Sequence, residues 1–154
     1  MKWTPKDVGI FMDAKEYVDT AVIPLYSVSF EDEMKQSAAT SEFLSLLTTH
    51  LERQFTGRIL LFPPFTYLKK NNSEIVINEL KNWESYIEAS EFKHIFYITA
   101  ESEWRLHEQK FTGSIVWLPM IPHEIMDESQ KLSIVESHAK ELMNLFTQKW
   151  QENK

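Results

Sequence analysis

Two patterns of apolar residues alternate along the chain: stripes recurring every three or four positions, which mark amphipathic helices, and short continuous runs, which mark buried strands. Val8, Phe11, Met12 and Val18, with Ala14 between, make the first stripe, and Thr4-Pro5-Lys6-Asp7 opens it with a capping threonine, a proline at the first helical position and an acid three residues on. This predicts a helix to about Val18, then a strand over residues 21–25. Pro24 lacks an amide hydrogen, so it is expected at that strand's end, at a bulge or on an edge. Leu44, Leu47, Leu51 and Phe55 predict a helix over residues 32–55, with Thr40-Ser41 as a candidate second cap dividing it. A strand follows at 58–62, a loop at 63–68, a helix at 73–90 striped by Val76, Leu80, Trp83 and Ile87, a strand at 94–98, a short helix at 101–110 and a strand at 114–118. Asp127-Glu128-Ser129-Gln130 reads as a capping box for a last helix whose stripe is Leu132, Val135, Ala139, Leu142, Phe146 and Trp150.

One phrase occurs twice: Phe55-Thr56-Gly57-Arg58-Ile59-Leu60-Leu61-Phe62-Pro63 and Phe111-Thr112-Gly113-Ser114-Ile115-Val116-Trp117-Leu118-Pro119. Each copy has a glycine able to end a helix in the left-handed region, four residues of buried-strand character, and a proline that cannot extend a sheet. A helix and then four strand-helix units predict an α/β fold, a three-layer sandwich in which a mostly parallel four-stranded sheet of Rossmann-like or flavodoxin-like type carries helices on both faces. A single domain over residues 1–154 is expected. The strand order stays open, with 2-1-3-4 as the first guess.

Five Trp and ten Phe exclude a disordered reading, and the lack of cysteine excludes disulfides, thiol catalysis and Cys-based zinc sites. A net charge of -7 opposes a phosphate backbone, so nucleic acid is not an expected partner. No apolar run approaches the roughly 20 residues that span a bilayer, and the first residues lack a signal peptide's apolar stretch. A soluble, cytoplasmic protein without membrane insertion is the expectation.

The chemistry is sparse. Phosphate-binding α/β proteins place glycines just after a strand, whereas Gly57 and Gly113 come before strands and Gly9 lies inside the first helix. The five histidines form no i, i+4 pair, and Ser27 and Ser29 sit behind the first strand without a glycine-flanked elbow. Acids such as Glu31, Asp32 and Glu33 open helices, where the backbone dipole accounts for them. No catalytic residue, metal ligand or cofactor is therefore assigned. The best candidate ligand site is the crevice beyond the strands' C-terminal ends, where Tyr26, Phe65, Thr66, Tyr67, Glu101 and His123 would meet. The competing reading is that these aromatics cap the sheet as core. Trp3, Trp104 and Trp150 pose the same choice between core anchors and an exposed partner-binding patch.

Lys2-Trp3, the run Ala14-Lys15-Glu16-Tyr17-Val18-Asp19-Thr20-Ala21 with Ile23-Pro24-Leu25, the segment Leu51-Glu52-Arg53-Gln54-Phe55 with Gly57-Arg58-Ile59-Leu60-Leu61 and Pro63-Pro64-Phe65-Thr66-Tyr67-Leu68, and Trp117-Leu118-Pro119 resemble the YpiF-like family of small uncharacterised proteins from Bacillus relatives. The resemblance covers nearly the whole chain. It implies a bacterial cytoplasmic protein and brings no activity, cofactor or catalytic residue. Two functions stand at this level: a non-enzymatic domain that binds a protein partner or its own copy, and a small-molecule or nucleotide-binding protein, an enzyme included, that uses the crevice.

Overall fold

In chain order the elements are α1 (Pro5–Asp13), β1 (Thr20–Val28), a 3-10 turn (Glu31–Glu33), α2 (Met34–Gln54), β2 (Ile59–Leu61), β3 (Phe65–Leu68), α3 (Ser73–Ala89), β4 (His94–Thr99), a 3-10 segment (Ser102–Lys110), β5 (Ser114–Trp117) and α4 (Glu128–Glu152). They come from a computed structural model that describes residues 1–120 and 127–152. Every strand pair is parallel, in the order β2-β1-β4-β5, and β3 also pairs with β1. Counted as the four strands of the sequence pattern, this is the order 2-1-3-4.

The fifth strand comes from the segment expected to be a loop. After Leu61 the chain breaks at Pro63-Pro64 and rejoins β1 as β3, with the register slipping by one residue between Val22↔Leu61 and Leu25↔Phe65. Pro24 explains why the break is tolerated. It lies in the middle of β1, a central strand, and pairs with Ile98 on the β4 side. On the other side the Val22 carbonyl accepts from the Phe62 N–H at 2.9 Å. Backbone groups alternate along a strand, so the missing donor of Pro24 faces the same side two residues on, opposite the diproline. Three imino acids, none with an N–H to donate, thus share one gap.

Alternation along β1 separates two cores. Ala21, Ile23 and Leu25 join Leu60, Ile95, Tyr97 and Ile115 under α1 and α3, which contribute Phe11, Val76, Ile77, Leu80 and Ile87. Val22, Ile59, Phe96, Ile98 and Val116 face α2 and α4, whose Phe43, Leu44, Leu47, Ala139, Leu142 and Phe146 cover them. This is the three-layer α/β sandwich with helices on both faces.

The caps follow the sequence at two helices. Thr4 Oγ1 accepts from Asp7 N at 3.2 Å, and Asp127 and Gln130 exchange reciprocal bonds of 2.8 and 3.0 Å. Three expectations are corrected. α1 ends at Asp13, and a turn on the Ala14 carbonyl carries Val18 into the core. Thr40-Ser41 does not divide α2, because Thr40 Oγ1 bonds back to Gln36 O at 2.9 Å within a continuous helix. Neither Gly57 nor Gly113 is left-handed; that conformation falls to Glu31 (φ 61) and Glu91 (φ 73), the latter just past α3. Gly113 is needed for closeness instead: an added Cβ would lie 2.8 Å from the Tyr97 ring and 3.0 Å from Ile95.

Candidate functional site

At the C-terminal rim of the sheet the polar groups are joined to one another. Ser27, buried on β1, donates to Glu101 Oε1 at 3.0 Å, and Lys69 Nζ lies 3.5 Å from Glu101 Oε2. Trp104 Nε1 donates to the Tyr67 hydroxyl at 2.9 Å, and the two rings meet edge to face with centroids 5.5 Å apart. Burial pushes the Tyr67 phenol up to about 12, with the carboxylates of Glu101 and Glu103 adding to the effect and bonds from Trp104 and Ser27 opposing it. The phenol is therefore a neutral donor and acceptor at neutral pH, not a base. Beside it lies a concavity of about 90 Å³ bordered by Tyr67, Lys69, Asn71, Ser73, Glu103 and His107. Burial and then Lys110, whose Nζ is 3.3 Å from Nδ1, hold the His107 imidazole below its ordinary value, with Glu103 opposing them.

The sheet divides the expected crevice. Tyr26 and Thr66 pair across β1 and β3 and share the α2 side, where burial raises the Tyr26 phenol against a bond from Ser45. Tyr67 and Phe65 are on the α3 side. Phe65 is core, with its ring edge to face on Trp83 at 5.3 Å. On the α3 side Tyr67 meets Glu101 through Ser27 and has its ring 6.1 Å from that of Phe65, and on the α2 side Tyr26 lies beside the exposed Thr66; His123 lies outside the described residues. Among the described residues no cluster of His, Asp and Glu is arranged to hold a metal ion.

The tryptophans separate cleanly. Trp104 and Trp150 are buried, the latter donating to Thr20 Oγ1 at 2.9 Å, while Trp3 is 52% exposed. Trp3 stands at one wall of an apolar groove of about 230 Å³ between α1, α3 and the β2 edge, together with Phe11, Phe62, Tyr86 and Phe92. Phe11 and Phe92 stack at 5.1 Å, Phe62 meets Phe92 edge to face at 5.6 Å, and Trp3 tilts over Phe62 at 4.8 Å. Tyr86, on the opposite lip, is 72% exposed. The sequence held one sign of this surface, because Tyr86 falls outside the α3 stripe of Val76, Leu80, Trp83 and Ile87. Phe62 and Phe92 read as strand and loop residues, and only tertiary structure brings them beside Trp3.

No helix among the described residues is long and apolar enough to cross a membrane. No solved structure matches the chain. The uncharacterised protein YpiF of Bacillus subtilis (strain 168) is 34% identical over 150 residues, covering 97% of this chain and 98% of that one. Residues 9–150 match the family described as a protein of unknown function, DUF2487. The segments that resembled the YpiF-like family thus lie within a similarity that runs the length of the fold, and the chain belongs to the DUF2487 family.

Proposed function

We propose that the protein is a non-enzymatic cytoplasmic domain that binds a protein partner through the aromatic groove of Trp3, Phe62, Tyr86 and Phe92. The observation that carries this reading is a grouping: Trp3 and Tyr86, both largely exposed, stand together at the mouth of an apolar groove floored by Phe11, Phe62 and Phe92, whereas the other exposed rings, Tyr17 and Phe30, are not part of it. Wet aromatic surface of this kind is where interfaces concentrate their binding energy. At the sheet's rim the opposite holds, since Ser27, Glu101, Lys69, Tyr67 and Trp104 bond to one another.

The test uses the full chain as bait in an extract of a Bacillus relative, with light scattering on the purified protein. A specific partner is retained by the natural chain and by a Leu106→Asp control elsewhere on the surface, and is lost with Tyr86→Asp. A monomer that retains nothing, or equal retention by all three proteins, ends this reading.

The concavity beside Tyr67 favours a second reading, a small-molecule site bordered by Lys69, Asn71, Ser73 and His107 near the start of α3. It predicts that a nucleotide or sugar phosphate raises the melting temperature and that Lys69→Ala removes the rise; a flat screen counts against it.

A further inference from the structure

We infer that the groove is a socket for one bulky apolar side chain, aromatic for preference, carried on an extended segment of a partner protein. This rests on the binding reading above and names what enters. The volume, about 230 Å³, exceeds the roughly 150 Å³ that encloses a benzene ring and falls short of the roughly 300 Å³ at which small-ligand pockets begin. It suits one large side chain. A free molecule in so open a groove would keep much of its surface wet, whereas a side chain needs cover at one end only. The lining carries no charged residue, so an ammonium or carboxylate would lose its water without gaining a partner.

Area and backbone narrow the occupant further. Trp3 and Tyr86 together expose roughly 300 Å² at most, against about 800 Å² that each partner of a stable interface covers. Two folded faces, a second copy included, need more than this groove to hold together, whereas one inserted side chain does not. Addition of a strand to the β2 edge is blocked as well, since the Met1 carbonyl accepts from Leu61 N at 2.8 Å and the Met1 amino group donates to Ile59 O at 2.8 Å. What remains open to a partner at this edge is the row of rings, and rings prefer the offset and edge-on contacts of another ring.

The experiment is an NMR titration of the full chain with capped peptides Gly-Ser-Xaa-Ser-Gly, where Xaa is Trp, Leu, Ala or Lys, and with free indole. The Trp peptide should shift the Trp3 indole N–H and the Ser90 amide with a dissociation constant of about 1 mM, at least about tenfold tighter than the Ala or Lys peptide, with Leu between. Ser90→Leu, which fills the groove from an exposed cap position, and Tyr86→Ala should each weaken the Trp peptide severalfold while the melting curve stays cooperative. Equal binding of the Lys or Ala peptide overturns the inference. So does tighter binding of indole than of the Trp peptide, which makes a free small molecule the occupant, or a dimer in light scattering that Ser90→Leu dissociates, which makes it a second copy. If no probe moves Trp3, the inference falls by itself, and the binding reading is then decided by the bait assay, which uses no peptide.

Discussion

The repeated phrase ends on opposite edges of the sheet, and its two copies do different work there. In the second copy Phe111 is buried against Tyr97 and Trp104, and the Thr112 and Gly113 amides donate to the two oxygens of Glu84 at 2.9 and 3.0 Å. Tyr97 gives Glu84 a third bond of 2.6 Å, so a buried carboxylate on α3 is fully partnered and ties that helix to β4 and the entry to β5. The first copy meets its buried acid indirectly: Glu52 of α2 lies 2.8 Å from the Met1 amino group, and that group donates to Thr56 O and Ile59 O. An added Cβ on Gly57 would meet nothing within 4 Å, Phe55 is half-buried against Trp150, and Arg58 donates two partly exposed hydrogen bonds to the Asp19 carboxylate while lying 3.9 Å over the Trp150 ring. Its last phenylalanine, Phe62, passes into the aromatic groove. The same local sequence is a sealed joint at one edge and an open surface at the other, because what differs is the element facing it.

Substitution should separate the copies. Phe111→Ala removes a buried ring and is expected to cost about 3–5 kcal/mol, while Phe55→Ala at the half-buried counterpart costs about half as much; urea denaturation measures both. Equal losses would dissolve the distinction. Glu84→Gln keeps the shape but turns an N–H₂ toward one of the groups now donating to the carboxylate, and should lose about 1–3 kcal/mol. Gly113→Ala forces its methyl against Tyr97 and Ile95 and should cost about 1–3 kcal/mol. Gly57→Ala enters open space without left-handed strain, so it should be neutral or stabilising by up to about 1 kcal/mol.

Alkaline pH gives a subtler separation. Tyr97 is raised above its ordinary value by burial and then by the adjoining Glu84 carboxylate, and Tyr67 is raised to about 12. Both phenols therefore keep their protons in the folded chain at pH values where the unfolded chain has begun to lose them. Their contribution is complete below about pH 10 and declines as pH rises from there toward the folded values. Hydrogen exchange at Thr112 and Gly113 should accelerate in this range before exchange at Arg58 and Ile59, because Tyr97 braces only the second copy. Tyr67→Phe should flatten the stability loss between about pH 10 and 12; an unchanged slope would show that this phenol is not buried as described.

Much of the architecture was legible. The stripes of α2, α3 and α4 and the run of β4 follow from period alone, and Thr4 and the Asp127–Gln130 pair cap as their side chains permit. The boundary at Asp13 was not legible, because Ala14 and Val18 fit a helical face as well as a turn. Phe65-Thr66-Tyr67-Leu68 read as a loop because two prolines precede it; its strand character depends on β1 offering a matching gap at Pro24. At the candidate site, Tyr67 and Glu101 were within reach of sequence reasoning since both follow strand ends. Tyr26 and Thr66 fell on the other side because each shares a register row in which the pleat points toward α2.

Period, capping and proline chemistry, all properties of neighbours along the chain, determined an α/β sandwich with parallel strands and two helical layers. Which glycine is indispensable, which carboxylate may be buried and which tryptophan stays wet were decided only when distant segments met. Those outcomes depend on partners many residues away: Glu84 finds the Thr112 and Gly113 amides, while Trp3 finds Phe62 and an open groove.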